Sequence, residues 1–257
     1  MISVGLRFNH IIHIFRNSTY EETTMTSQEA MINIGNGIEL WLHCMGQGSP
    51  TIILDAPGPG CDSEPWMAIQ PRLAHLTRTC RYDRAGTGKS TGTELSTMAI
   101  TPRTLDLEKL LQAAPIEPPY VMVGYSFGGA IVQRYAHQHL DRMAGLVLVE
   151  SSVESLLARY PNETAFAVPD TGQNPPLGEL PLVVMTIDTQ EYVKPPLPNL
   201  SREETLKLWL DAQAELVTLS TRGRQVFVRN TNHYNILESH AEDVINAITM
   251  VVNESRK

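Results

Sequence analysis

The chain has 257 residues, long for a single domain but normal for a large α/β domain, and enough to bury a substantial core. Its 42% hydrophobic and 19% charged residues exclude the disordered and fibrous classes. A formal net charge of −8 argues against a nucleic-acid or anionic-membrane surface, since either needs a basic face.

Residues 1–27 read as a flexible segment ahead of a single domain spanning 28–257. Their apolar part is interrupted by Arg7, Asn9, His10 and His13, and no small-residue cleavage pattern follows. That makes a weak targeting signal, with Met25 an equally good start. No run elsewhere reaches the roughly 18 apolar residues of a membrane span. Three cysteines, Cys44, Cys61 and Cys80, without CxxC spacing, argue against both a disulfide framework and a zinc site. The expectation is a soluble, cytoplasmic protein in a reducing compartment.

In chain order, "AMINIGN" and "IELWLHCMG" form two antiparallel strands about the Asn36-Gly37 turn, a strong hairpin signal. "TIILDA" is a short β-branched strand, and a helix is expected around "PWMAIQPRLAHL". "TRTCRYD" is the next strand, and "TPRTLDLEKLLQAA" a helix with apolar residues at Leu105, Leu107, Leu110 and Leu111. "YVMVGY", a helix over "GGAIVQRYAHQHL" and the strand "GLVLVE" follow. Residues 151–180, rich in Pro, Asn and Gly, lose the period and read as a cap insertion over one end of the sheet. The alternation resumes with "LPLVVMTID", a helix across 201–220, the strand "RQVFVRN" and a final helix from about Glu238 to Asn253. A leading hairpin followed by β-α repeats implies a mostly parallel, doubly wound sheet with helices on both faces.

The chemistry concentrates in "GYSFGG", residues 124–129. It satisfies G-x-S-x-G directly after a buried strand and before a helix, where Gly124 and Gly128 allow the sharp turn that lifts Ser126 above the sheet. A serine hydroxyl is a weak nucleophile and needs a base. Of eight histidines, His233 alone falls in a loop beyond a late strand, where a doubly wound sheet places residues beside the Ser126 turn. The base in turn needs an acid to set its tautomer. Glu150 ends the strand that follows the elbow helix, so its carboxylate projects into the same crevice; Asp188, ending the next strand, is the rival.

From about residue 36 to 253 the chain resembles the α/β-hydrolase superfamily, in particular its small-cap esterase-like and lactonase-like members. The resemblance rests on "LDAPGPG", "YDRAGTGKS", "GYSFGG", "LVLVESS" and "TNHYN" in that order. The family usually takes its acid after the seventh strand in a Gly-x-x-Asp pattern. Here "MTIDTQEYV" has no glycine and sets Asp188 early, whereas some members use an acid after the sixth strand, the place of Glu150. The resemblance also implies an oxyanion hole made by the backbone N–H of Phe127 and one from the loop after the third strand. In "ILDAPGPG" that donor falls on Gly58, because Pro57 and Pro59 have no N–H.

"DRAGTGKS" approaches a phosphate-binding loop, but Asp83 stands where the first glycine is required. No HExxH or other close ligand spacing appears, so neither a metal nor a cofactor is implied. The sequence therefore reads as a serine hydrolase of a small, mainly apolar ester or lactone, with Leu156, Leu157, Tyr160 and Phe166 of the insertion either covering the substrate or packing the cap onto the core. Amide or carbon–carbon hydrolysis, cofactor-free peroxidation and a ligand receptor that keeps the hydrolase shell are the competing readings. Serine rather than aspartate at the elbow disfavours dehalogenase and epoxide-hydrolase chemistry.

Overall fold

A computed structural model describes residues 25–93, 100–153, 156, 176–187 and 199–257. The described residues build an eight-stranded sheet in the order β1-β2-β4-β3-β5-β6-β7-β8. The strands are β1 (Ser27–Gly35), β2 (Ile38–Met45), β3 (Thr51–Asp55), β4 (Thr79–Tyr82), β5 (Tyr120–Tyr125), β6 (Met143–Val149), β7 (Leu182–Ile187) and β8 (Gly223–Val228). β1 and β2 pair antiparallel, β2 joins β4 antiparallel, and from β4 onward all pairing is parallel. Asn36 and Gly37 take φ of 54° and 74°, the double left-handed conformation that matches the twist of a two-residue hairpin.

The helices are α1 (Gln70–Leu73), α2 (Ile100–Ala113), α3 (Phe127–Gln138), α4 (Arg202–Val217), α5 (Ile236–Ser239) and α6 (Ala241–Ser255). α4 starts from a full capping box, in which Ser201 and Glu204 satisfy each other's backbone N–H groups. The central strands alternate their side chains between two apolar layers. On β5, Tyr120 and Met122 face the layer shared with α2, α3 and α4, while Val121, Val123 and Tyr125 face the layer shared with α1 and α6. β5 and β7 are buried along their whole length, and so are the last five residues of β6, which is why they read as unbroken apolar runs.

Two expectations are corrected. The helix anticipated over "PWMAIQPRLAHL" is a 3₁₀ turn at Glu64–Trp66 and a single α turn at α1, because Pro65 and Pro71 lack the N–H that a continuous helix needs and each opens a new turn instead. Cys44 and Cys80 form a disulfide, against the expectation drawn from cysteine number and spacing. They are 36 residues apart in sequence, but β4 inserts beside β2 and sets them directly opposite in register, with Cα atoms 4.0 Å apart. Cys61 is free and exposed.

The sheet's carboxyl edge is shaped by backbone crowding at the start of α3. A Cβ on Gly124 would lie 2.5 Å from the Gly128 carbonyl oxygen, and one on Gly128 would lie 2.5 Å from the Ala56 oxygen and 2.8 Å from the Asp55 oxygen. The glycines thus let α3 press against both β5 and the end of β3. Gly128→Ala is expected to destabilise the fold by about 3 kcal/mol, the upper end for overpacking, because the colliding atoms are backbone. Urea unfolding of the variant beside wild type measures it.

Candidate active site

The elbow follows directly from that crowding. Ser126, between β5 and α3, takes φ 52° and ψ −116°, a conformation L-residues rarely adopt. Backbone bonds hold it there: Ser126 N–H donates to the Val149 carbonyl (2.9 Å), and the Ser126 carbonyl accepts from Gly129 N–H (3.0 Å) and Ser152 N–H (2.8 Å). The side chain stands at the carboxyl edge of the sheet.

His233 lies beyond the end of β8, and its Nε2 is 2.8 Å from Ser126 Oγ. Its Nδ1 is 3.3 Å from Glu150 Oε2. An ionised carboxylate can only accept, so the proton belongs on Nδ1, leaving the Nε2 lone pair toward the serine hydroxyl. The imidazole rests between Tyr125, with ring centroids 5.4 Å apart, and Tyr234, at 5.5 Å and nearly perpendicular.

Glu150, one residue past β6, is fully buried. It takes φ 46°, its N–H donates to the Met185 carbonyl (2.9 Å), and its Oε1 accepts the Ile187 N–H at 2.6 Å. One carboxylate oxygen is therefore held by the end of β7 and the other faces the imidazole, which satisfies a buried charge on both oxygens. Its rival Asp188 lies outside the described residues, as do Leu157, Tyr160 and Phe166. Leu156 is buried in the apolar layer under α2, α3 and α4 and does not border the cavity described next.

A cavity of about 580 Å³ opens over Ser126 and His233, bordered by Pro57, Gly58, Phe127 and Tyr125 among others. Phe127 is the first residue of α3, so its N–H has no intrahelical acceptor. Gly58 takes φ 58° between two prolines. Burial pushes the Tyr125 phenol up, and the Glu150 charge adds to it, so this side chain stays a neutral hydroxyl in the cavity wall. Among the described residues no three His, Cys, Asp or Glu side chains converge as metal ligands do.

A sequence model of the alpha/beta hydrolase fold matches residues 43–206, more than half of the chain. The chain belongs to the α/β-hydrolase family. Curated relatives of the chain include the uncharacterized protein YqjL of Bacillus subtilis (strain 168), 32% identical over 111 residues and 43% of each chain. Another is the pimeloyl-[acyl-carrier protein] methyl ester esterase of Klebsiella pneumoniae (strain 342), 31% identical over 117 residues, 44% of this chain and 41% of that one. These matches span less than half the length of either relative. Est1E from Butyrivibrio proteoclasticus, solved with ferulic acid bound, shares the fold at a TM-score of 0.66 and 17% identity over 88% of this chain and 98% of its own.

Sequence reasoning missed Tyr125, Tyr234 and Ser152 as cavity residues, and it gave no role to Asp55 and Arg84. Tyr125 carried a usable signal, as the variable position of G-x-S-x-G just before Ser126. Tyr234 follows the loop histidine and is 79% exposed, which no periodicity announces. An alkyl fluorophosphonate is expected to label one residue, Ser126, stoichiometrically. Peptide mapping by mass spectrometry checks it, and Ser126→Ala and His233→Ala should each abolish the adduct.

Proposed function

We propose that this α/β-hydrolase is a serine hydrolase that cleaves carboxylic esters or lactones through an acyl-enzyme. The observation that carries the reading is the buried line from Glu150 through His233 to Ser126, with Nε2 at 2.8 Å from a strained serine that faces the cavity. Ser126 Oγ attacks the acyl carbon as its proton passes to His233 Nε2. Glu150 accepts from Nδ1–H and stabilises the imidazolium that forms. The carbonyl oxygen gains charge between the N–H groups of Phe127 and Gly58, each such donor contributing about 3–4 kcal/mol to transition-state binding. The tetrahedral species collapses, His233 returns the proton to the leaving alkoxide, and water repeats the sequence on the acyl-enzyme to release the acid. In a lactone the leaving alkoxide stays tethered, and the product is one hydroxy acid.

Short p-nitrophenyl esters beside γ- and δ-lactones provide the direct test. Turnover of neither class by folded protein would overturn the reading, and the ratio of the two rates sets the ester against the lactone. On the better substrate, Glu150→Gln is expected to lower kcat about 10⁴-fold, as when the orienting acid of such a triad is neutralised, with KM little changed. Asp188→Asn should stay within about tenfold; the reverse pattern would reassign the acid.

The charge around the cavity bears on the substrate. Its described border carries two carboxylates, Glu64 and Glu238, and neither lysine nor arginine. Together with the net charge of −8, this favours neutral acyl groups. An ester whose acyl chain ends in a carboxylate is expected to show kcat/KM about tenfold below its neutral methyl-ended isostere at low ionic strength, with the gap shrinking at 0.5 M salt. Paired rates at two salt concentrations check this.

A further inference from the structure

Arg84 follows β4 in the "YDRAG" stretch and is nearly fully buried without bordering the cavity. Its Nη1 donates to Asp55 Oδ1 at 2.6 Å and to the Ala56 carbonyl at 2.8 Å. Its Nη2 donates to the Pro57 carbonyl at 2.9 Å, to the Gly58 carbonyl, and to the Cys61 carbonyl at 3.3 Å. One guanidinium therefore gathers the carbonyls of three successive peptide units and a fourth just beyond. Its cationic face also stands 5.4 Å from the Phe127 ring centroid.

These bonds dictate where the loop's N–H groups point. A trans peptide carries its C=O and N–H on opposite sides, and of the cis bonds among the described residues none lies in this loop. Drawing the Pro57 carbonyl toward Arg84 turns the Gly58 N–H away from Arg84; Pro57 and Gly58 border the cavity, and Arg84 does not. The neighbouring units, Ala56–Pro57 and Gly58–Pro59, are fastened in the same way but end on proline nitrogens and have nothing to donate. Of three peptide units pinned to one cation, a single one presents a donor. The bond to a cation also draws electron density from the Pro57 carbonyl and strengthens the N–H on the other side of that peptide.

Arg84 is itself held. Asp55, the last residue of β3, is fully buried; its Oδ1 takes Arg84 and its Oδ2 takes the Tyr82 hydroxyl at 2.6 Å. Burial pushes the Asp55 carboxyl up, and the Arg84 charge and the Tyr82 hydroxyl oppose that rise.

The geometry points to Arg84, anchored on Asp55, as the positioning residue of the oxyanion hole: it aims and polarises the Gly58 N–H and registers that loop against Phe127, which carries the second donor. This rests on the serine-hydrolase reading above. It predicts a loss confined to the transition state, because the ground-state carbonyl needs the aimed donor far less than the oxyanion does.

The test compares Arg84→Lys and Asp55→Asn with wild type, each normalised to active sites titrated with fluorophosphonate so that misfolded protein drops out. Lysine keeps the charge but has no planar fork to hold several carbonyls at fixed angles. Arg84→Lys is expected to lower kcat per titrated site about 30-fold with KM within about threefold, and to weaken an aryl trifluoromethyl ketone, which binds as an oxyanion, by the same factor. Asp55→Asn should lower kcat by about tenfold in the same pattern, since the fork loses its anchor. If one variant yields no titratable protein, the other decides. A folded variant that keeps kcat per site within about twofold, or loses only in KM, overturns the assignment. Wild type that neither labels nor turns over an ester would sink the hydrolase reading and this inference with it, whereas labelled wild type with indifferent variants sinks this inference alone.

Discussion

The close approach of α3 to β3 and β5 is the constraint on which the rest of the structure depends. Gly124 and Gly128 stand where any side chain would strike main-chain atoms of the neighbouring element, so the helix can begin one residue after the strand ends and Ser126 must occupy the turn between them. The strained backbone there is held by bonds to Val149, Gly129 and Ser152, which tie the elbow to β6 as well as to its own helix. The same contact that strains the serine brings the first N–H of α3 beside the loop leaving β3, because Gly128 packs on the Asp55 and Ala56 carbonyls. The Ser126 turn and the meeting of the α3 N-terminus with the loop after β3 are thus consequences of one packing event.

Of the carboxylates buried at the carboxyl edge of this sheet, Glu150 and Asp55 have partners of different kinds. Glu150 shares its oxygens between the Ile187 N–H and the His233 imidazole, so its charge is coupled to a side chain that faces the cavity. Asp55 shares its oxygens between Tyr82 and Arg84, so it is coupled to a guanidinium whose two terminal nitrogens also hold loop carbonyls. Without such partners a buried carboxyl group is costly. Pro57 and Pro59 lack an N–H, so between them only Gly58 can donate.

Residues 145–150 show how far pattern alone reaches. An apolar run ending in a carboxylate is read as a buried strand whose acid needs a partner, because an unpaired charge there would be costly; β6 is that strand, and Glu150 lies 3.3 Å from His233. The Asn36-Gly37 hairpin, the elbow and the late-loop histidine are legible for the same reason, each being a local demand of backbone geometry or acid–base chemistry. The stretch from Glu64 to Leu73 was not legible as drawn, since apolar spacing suggested one helix while two prolines divide it. The Cys44–Cys80 pair was hidden because strand order is not chain order: β4 passes over β3 to lie beside β2.

The sequence by itself determined the class of fold, the turn that exposes Ser126, and that a histidine and a carboxylate follow the ends of late strands, because these depend on short-range sterics and strand pattern. Tertiary structure decided what long-range neighbours decide. It paired the two cysteines, and it gave the Glu150 carboxylate a second anchor from β7. It also gathered the carbonyls of one loop onto Arg84, a residue whose sequence context reads as an ordinary turn after a strand. A guanidinium's use is set by which acceptors surround it, and those arrive from β3 and its loop nearly thirty residues earlier in the chain.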